Sequence, residues 1–300
     1  MKPKLSIIIL NYNTEVLTRD CLASIKKNRN EVALEIIVSD NGSNDGSIEM
    51  IRNEFTRVKL VENGANLGFA AGNNRARKFA KGEYVLFLNT DTIVKKGTLA
   101  ATVNYMDEHP QVGALSCRLV LADGSLDKDA RRGFPTPWVA LTHFSGLDKL
   151  FPNSRLFAKY WYGGVPEEAV QEVDVIQGAY FLAPKKLLDK VGWFDEDYFL
   201  DGEDIDLCWK IAGAGKKIVY YPEVSIIHLK GATKGKNKKA KIKVSLKNKL
   251  KFRMSSVNSM EIFYRKRLWK NYPLPLNILV VVGIKCLKLA RLIKLLLLSP

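Results

Sequence analysis

Leu5-Ser6-Ile7-Ile8-Ile9-Leu10-Asn11-Tyr12-Asn13-Thr14 is the stretch that decides the fold. A nearly continuous apolar run followed at once by polar residues predicts a strand buried on both faces. The run is too short for the apolar region of a signal peptide, and no small-residue cleavage site follows it. We therefore expect the first strand of a sheet here and no signal peptide.

Helix and strand patterns alternate after this strand. Residues 34–39 and 84–88 are further apolar runs, and residues 16–25 and 47–55 have helical spacing of their apolar positions. This alternation predicts an α/β fold with a mostly parallel, Rossmann-like sheet and helices on both faces. Ligands bind such sheets outside the carboxyl ends of the strands.

The net charge of +16 is concentrated in one segment. Residues 229–300 hold 19 Lys and Arg and a single acidic residue, Glu261, whereas residues 1–228 have a net charge of −2. A uniformly basic nucleic-acid-binding domain is therefore not expected. The four cysteines form no CxxC or zinc-type cluster, which favours buried thiols in a reducing compartment.

Two polar segments follow predicted strands in the first half of the chain. Asp40 opens an Asn-Gly-Ser turn and could accept hydrogen bonds from a nucleotide, although turns favour the same residue types for local reasons. In the second segment, Gly68 and Gly72 precede a helix and would let a ligand approach the backbone closely. Neither GxGxxG nor a P-loop is present, so the pattern supports neither NAD nor ATP binding.

Acidic residues and one histidine form the remaining candidates. Asp91, in Asn89-Thr90-Asp91-Thr92, could hold a divalent cation that neutralises a departing diphosphate, or simply cap a helix. Seven carboxylates lie within residues 195–206. One of them could be a general base, or the acidic residues could simply stabilise the N-terminus of a helix. His228 ends an apolar strand. Its position fits a metal-ligand role and a purely structural role equally well.

The order and spacing of these motifs resemble the inverting, GT-A-type glycosyltransferases of family 2, and most closely their rhamnosyltransferase-like branch. The resemblance covers residues 5–231. It rests on Asn11-Tyr12-Asn13, Asp40-Asn41-Gly42-Ser43, Asn66-Leu67-Gly68-Phe69, Asn89-Thr90-Asp91-Thr92, Arg132-Gly133-Phe134-Pro135, Gly178-Ala179, Gly192-Trp193-Phe194-Asp195-Glu196, Glu203-Asp204-Ile205-Asp206-Leu207-Cys208-Trp209 and the strand ending in His228.

The resemblance implies a role for each matching residue. Asp204 would be the catalytic base, with Glu203, Asp206 and Arg132 as supporting or acceptor-side residues. Asp91 and His228 would bind Mg²⁺ or Mn²⁺, although Asn89 replaces the first carboxylate of the usual DXD motif. The nucleotide sugar would be bound by Asn11, Tyr12, Asp40, Asn66, Gly68, Asn73, Asn89 and Gly178.

The resemblance also implies the reaction. One sugar, with rhamnose favoured, would move from a dTDP- or UDP-linked donor to a hydroxyl of a glycan or polyprenyl-linked acceptor in surface polysaccharide or lipopolysaccharide synthesis. The QxxRW signature of processive synthases is absent from the sequence, which favours transfer of a single sugar.

The C-terminal region suggests a membrane surface as a partner. Residues 274–298 are very apolar, but Lys285, Lys288, Arg291 and Lys294 recur every third residue, which disfavours a membrane span. We expect an amphipathic helix on an anionic membrane, with a helix docked on the body as the alternative. The predicted division is a sheet domain at 1–231, a Lys-rich, partly helical linker at 232–272 and this helix at 273–300. It places the enzyme in the cytoplasm, peripherally on the inner face of the cell membrane.

The sequence is also compatible with two other classes of function. A nucleic-acid-binding protein would use the Lys-rich tail, but the carboxylate-rich candidate site would repel phosphate unless a metal intervened. A metal-dependent nucleotidyltransferase would also bind a metal ion at the edge of the sheet. It usually needs a basic phosphate-binding loop near the N-terminus, and residues 11–14 contain no basic residue.

Overall fold

The computed structural model describes residues 2–230 and 246–297. Its first half is a parallel sheet in which β1 lies between β2 and β4, with β3 beyond β2. Three helices connect these strands in the order that the apolar patterns predict. The elements are β1 (Leu5–Asn11), α1 (Glu15–Lys27), β2 (Leu34–Asp40), α2 (Ser47–Glu54), β3 (Lys59–Glu62), α3 (Phe69–Asn74) and β4 (Tyr84–Asn89).

The second half extends the same sheet with mixed pairing. Its elements are β5 (Thr92–Val94), α4 (Thr98–Glu108), β6 (Val112–Val120), α5 (Pro137–Phe144), α6 (Leu147–Leu150), β7 (Gln171–Glu172), β8 (Tyr180–Pro184), α7 (Lys185–Val191), α8 (Glu203–Gly213) and β9 (Lys217–His228). The strand order is β3-β2-β1-β4-β8-β6-β9-β5, and β7 pairs with β9. β8 is antiparallel to β4, and β6 is parallel to β9. The α/β class is therefore confirmed.

The core lies against the central strands. Ile7, Ile8 and Ile9 are fully buried, which explains why this strand lacks polar alternation. Phe87 of β4 contacts the rings of Trp193 and Phe194, with centroids 5.7 and 4.5 Å away. These aromatic contacts fix the segment that precedes α8 against the sheet.

The strand register determines which polar residues meet at the sheet edge. Asn11 pairs with Asp40 across β1 and β2, and Leu10 pairs with Asn89 across β1 and β4. The last residues of three parallel strands therefore lie side by side. On the far side of the sheet, β9 is antiparallel to β5 and places His228 opposite Thr92.

Two helices follow the sheet domain. They are α9 (Leu246–Phe263) and α10 (Leu274–Leu297), and a π-helical turn, Tyr264–Leu268, follows α9 directly. We call residues 246–297 the C-terminal hairpin. Phe263, Tyr264, Leu268 and Val281 of the hairpin form a buried cluster with Tyr198 of the sheet domain.

The hairpin includes parts of both the predicted linker and the predicted membrane helix. One face of α10 packs within the hairpin, where Asn277 and Val281 are buried and the Tyr264 hydroxyl donates to Asn277 over 2.6 Å. The other face exposes Ile278, Val282, Leu289 and Ile293 to solvent. Residues 232–245 of the predicted Lys-rich linker lie outside the described residues. Within the ranges 2–230 and 246–297, no helix is both long enough and apolar enough to cross a bilayer.

Candidate active site

Asp40 and Asn11 form one side of the site at the ends of β2 and β1. The Asn11 Nδ2 amide donates to Asp40 Oδ2 over 2.6 Å. The backbone amides of Gly42 and Ser43 donate to Asp40 Oδ1 over 3.0 and 2.8 Å. Asp40 therefore forms the turn that its sequence predicts, and the same hydrogen bonds fix this buried carboxylate at the carboxyl edge of the sheet.

The loop at Gly68 lies against the segment that leads to the candidate base. Gly68 has φ +88°, and a Cβ placed there would lie 2.4 Å from the carbonyl oxygen of Phe199. The next amide, Phe69 N, donates to that carbonyl over 2.7 Å. Asn66 Oδ1 accepts the Gly68 amide over 3.0 Å, which closes the turn. The loop predicted to lie beside the nucleotide is therefore held by the segment before α8.

The other donor-side candidates have different environments. Asn73 is buried, and its Nδ2 donates to the Phe69 carbonyl within α3, a structural contact. Asn89 and Tyr12 are half-buried at strand ends. Gly178 lies near the Phe69 ring, because a Cβ placed there would be 3.3 Å from Phe69 Cζ. The fold therefore places most of these residues near one edge of the sheet. Asn73 instead makes a hydrogen bond within α3.

Asp91, His228 and Asp127 form a buried row on the other side of Asn89. His228 Nδ1 lies 2.8 Å from Asp127 Oδ2, and His228 Nε2 lies 3.4 Å from Asp91 Oδ1. Burial lowers the pKa of His228, but the Asp127 and Asp91 carboxylates outweigh burial and raise it to about 9. Burial raises the pKa of Asp127, yet His228 and Lys230 lower it to about 2.

This row fits a divalent cation. Asp91 Oδ1 is buried and makes no hydrogen bond, its contact with His228 Nε2 being an ion pair at 3.4 Å, so this oxygen could bind a cation once His228 is neutral. A carboxylate on one nitrogen of a metal-binding histidine orients the other nitrogen toward the metal, and Asp127 has that relation to His228. The described residues contain no group of three or more His, Cys, Asp or Glu side chains placed for a metal. Asp91 and His228 are therefore the two described side chains that would hold a cation at this row.

Asp204 lies at the beginning of α8, buried beside Arg132. Arg132 Nη2 donates to Asp204 Oδ2 over 2.6 Å, and the Gly178 amide approaches the same oxygen at 3.4 Å. The Ile205 amide donates to Oδ1 over 2.8 Å. Burial alone would lower the pKa of Arg132, but the Asp204 carboxylate holds it well above its ordinary value. Asp204 thus lies against Gly178, whose neighbour Ala179 accepts the Asn89 amide over 3.2 Å.

Asp206 faces away from this cluster. Arg267 of the C-terminal hairpin donates to both its carboxylate oxygens, over 2.7 and 3.0 Å, and Tyr198 donates to it over 3.2 Å. A salt bridge to the hairpin therefore occupies the side chain of Asp206, which the sequence predicted as a supporting or acceptor-side residue. Glu203 is buried at the first position of α8.

Three residues at this site were not among the sequence candidates. Asp127 follows an irregular turn, so no strand end marked it. Lys230 and Arg267 lie in the basic segment, where their charge suggested lipid binding. Two surface cavities of about 400 and 410 Å³ lie elsewhere and include none of the candidate residues.

Comparison with known proteins decides the family. The sequence profile of Glycosyl transferase family 2 matches residues 6–161, just over half of the chain. The chain belongs to this family. A second profile, Glycosyl transferase family group 2, matches residues 84–298. The protein is therefore a family 2 glycosyltransferase, as the order of its motifs predicted.

Individual relatives and solved structures agree with this assignment. The chain is 26% identical over 248 residues to N-acetylglucosaminyl-diphospho-decaprenol L-rhamnosyltransferase of Mycobacterium tuberculosis, covering 79% of this chain and 80% of that protein. It is 26% identical over 233 residues to rhamnosyltransferase WbbL of Escherichia coli, covering 74% and 82%. The mannosyltransferase PcManGT of Pyrobaculum calidifontis, solved with GDP-Man and Mn²⁺, has a TM-score of 0.57 at 18% identity, covering 100% and 77%. This likeness confirms the GT-A fold.

Proposed function

We propose that this glycosyltransferase moves a single sugar, with rhamnose favoured, from a nucleoside diphosphate donor to a hydroxyl of a glycan or lipid-linked acceptor in cell-surface glycan synthesis. The observation that carries the proposal is the buried Asp204 carboxylate, held at the start of α8 against Gly178 and Arg132. The names of the two rhamnosyltransferase relatives support the sugar. The decaprenol diphosphate in one of those names supports a lipid-linked acceptor.

In the proposed reaction, Asp204 is the general base. It accepts the proton of the acceptor hydroxyl while that oxygen attacks the anomeric carbon on the face opposite the diphosphate. The new C–O bond forms as the bond to the diphosphate oxygen breaks, and the diphosphate leaves with the electron pair. Arg132 and the Ile205 amide hold the carboxylate of Asp204 in place. General-base catalysis of this kind is worth about 10²–10⁴-fold in rate.

Asp91 and His228 would hold a divalent cation, Mg²⁺ or Mn²⁺, on the donor side. When bound, such a cation neutralises charge on the diphosphate. Asp127 orients His228 through Nδ1 and leaves Nε2 directed toward Asp91. Asn89 takes the place of a second carboxylate, so the chain itself offers one carboxylate and one imidazole.

The donor nucleotide, dTDP or UDP, would lie at the ends of β1 and β2. Asp40 and Asn11 sit at that edge, and Tyr12 and the turn of Asn66 and Gly68 line it further along the chain. Because backbone amides fix Asp40 before any ligand binds, little ordering is needed when the donor arrives. The role of this edge as the nucleotide pocket rests on the family resemblance and on this geometry.

The C-terminal hairpin would place the enzyme on the inner face of the cell membrane, peripherally and from the cytoplasm. The exposed face of α10 carries Ile278, Val282, Leu289 and Ile293, each about half exposed or more, and Lys285 and Lys288 are exposed next to it. Apolar side chains beside lysines fit an anionic lipid surface, where a helix lies in the interface. The Lys-rich segment at 230–251 adds charge of the same sign.

A donor screen tests the proposal most directly. The purified enzyme is incubated with dTDP-rhamnose and a panel of other nucleoside diphosphate sugars, with a polyprenyl diphosphate-linked N-acetylglucosamine acceptor. Release of nucleoside diphosphate and formation of product are measured with Mg²⁺, with Mn²⁺ and with chelator. Product from dTDP-rhamnose that depends on metal and on acceptor supports the proposal. Product from another donor alone would refute rhamnose but keep the glycosyl transfer.

A further inference from the structure

The C-terminal hairpin contacts the same short segment that positions the candidate base. Lys266 of the π-helical turn lies 2.6 Å from both Asp195 and Asp197, which precede α8. Ser255 of α9 donates to the carbonyl of Leu200, and Phe263 packs edge-on to Trp209 with centroids 5.8 Å apart. The hairpin therefore contacts both the segment that precedes α8 and the side chain of Trp209 in α8 itself.

The strongest of these contacts is the pair of Arg267 and Asp206. Asp206 is fully buried, and Arg267 donates to both of its oxygens in a two-bond fork. Such a fork fixes direction as well as distance, because the guanidinium and the carboxylate must be nearly coplanar. The hydrogen bond to Asp206 raises the pKa of Arg267, so the guanidinium stays charged. Asp206 lies two residues after Asp204, within the first turn of α8.

A second chain of contacts leads from the same segment to the donor side. The carbonyl of Phe199, one residue after Tyr198, accepts the Phe69 amide beside Gly68. Tyr198 itself donates to Asp206 over 3.2 Å and packs against the hairpin. The segment held by Arg267 thus touches the Gly68 loop at one end and carries Asp204 at the other.

We propose that Arg267 is a positioning residue for glycosyl transfer, acting through Asp206 to hold the first turn of α8, and with it Asp204, at the sheet edge. This inference rests on the proposed role of Asp204 as the base. It gives the C-terminal hairpin a part in the chemistry that is separate from any lipid contact, because Arg267 belongs to the docked side of the hairpin and not to the exposed face of α10.

The test compares variants of Arg267 in the full chain. Arg267→Met removes the charge and both donors, and Arg267→Lys keeps the charge but loses the fork. The double variant Asp206→Asn with Arg267→Gln removes both charges together, so that no unpaired carboxylate remains buried. Arg265→Met is the matched control, because Arg265 pairs with Glu261 on the exposed side of the same helix over 2.8 Å.

Four quantities are measured for each variant: kcat and KM for the acceptor, donor affinity, the slow hydrolysis of donor without acceptor, and the melting temperature. We expect the double variant to fold and to lose about 10²-fold in kcat, since a displacement of about 1 Å at the reacting groups costs that much. Donor affinity should change less than about threefold, and Arg267→Lys should recover part of kcat. Arg265→Met should match the wild type.

Three outcomes are informative. A double variant with wild-type kcat at saturating acceptor would refute the positioning role and leave Arg267 as a stabilising contact only. Equal losses in donor affinity and kcat would also refute it, because the whole site would then have been disturbed. If Asp204→Asn kept full activity while Arg267→Met lost it, the base assignment would fail and the positioning role would have to act through another group.

Discussion

Arg132 and Asp204 meet through a single short contact, 2.6 Å between Nη2 and Oδ2, in a place where neither side chain is more than 10% exposed. A carboxylate that serves as a base while paired with an arginine is held in one orientation, with Oδ1 turned to the Ile205 amide. Buried charges are costly to leave unpaired. The pair therefore contributes to both the fold and the geometry of the proposed reaction.

Replacing Arg132 should reveal both contributions. Arg132→Met leaves Asp204 buried without its counter-charge, and we expect the free energy of unfolding to fall by about 3–5 kcal/mol. In the background of Asp204→Asn the same change should cost clearly less, because no charge is then left behind. Urea unfolding of the four proteins in this double-mutant cycle measures the difference. Equal costs in both backgrounds would show that the two side chains are energetically independent.

Asp204→Asn should nearly abolish transfer. The amide keeps the shape of the carboxylate but cannot take a proton from the acceptor hydroxyl, so kcat should fall by about 10²–10⁴-fold. Donor affinity should stay near the wild-type value. Product formation under single-turnover conditions, together with donor titration by calorimetry, measures the two effects. Near-normal kcat would mean that another residue is the base.

Metal binding should depend on the buried row at His228. We expect Asp91→Asn to abolish Mn²⁺ binding in the presence of nucleoside diphosphate, and Asp127→Asn to weaken it by about 10–100-fold through the orientation of His228. Paramagnetic resonance of free Mn²⁺ measures both. Asp123→Asn is the control, because Asp123 is exposed, accepts from the Ser125 hydroxyl over 2.6 Å and lies outside the row. Unchanged Mn²⁺ affinity in Asp91→Asn would place the metal elsewhere.

Gly68→Ala should damage the donor loop. The backbone there has φ +88°, and the new Cβ would clash with the carbonyl oxygen of Phe199 at 2.4 Å. Gly97→Ala is a close control, since Gly97 has φ +84° but open space around it. The backbone cost of about 1–3 kcal/mol should appear in both variants. Only Gly68→Ala should also weaken donor binding, and calorimetric titration of both variants decides this.

The exposed face of α10 should carry the affinity for lipid. We expect Val282→Glu with Leu289→Glu to reduce binding to vesicles containing phosphatidylglycerol by at least ~10-fold, because each side chain contributes about 1.5–3 kcal/mol when buried. The control is Val16→Glu with Leu150→Glu, two positions on other helices that are somewhat more exposed than Val282 and Leu289. Flotation of both proteins measures binding. If the pair on α10 floats like the wild type, the Lys-rich segment alone holds the protein on lipid.

The sequence predicted the parts of the site that follow strands. Asn11, Asp40 and Asn89 each come directly after an apolar run, and parallel pairing brings such residues together by rule. Asp206 and Arg267 are 61 residues apart and belong to no shared pattern. Local spacing carries no information about such a pair, and an arginine in a basic segment gives no sign of which carboxylate it will meet. Asp127 was missed for the same reason.

The fork between Arg267 and Asp206 also determines what can be exchanged between enzymes of this kind. A chimera that received a foreign C-terminal hairpin would have to receive residues 195–206 with it, or else bury Asp206 without the arginine that pairs with it. Trimming the chain after His228 to simplify purification would strip the cover from Tyr198 and Asp206. For protein engineering, the smallest part of the chain that can be moved as a unit therefore includes both the sheet domain and the C-terminal hairpin.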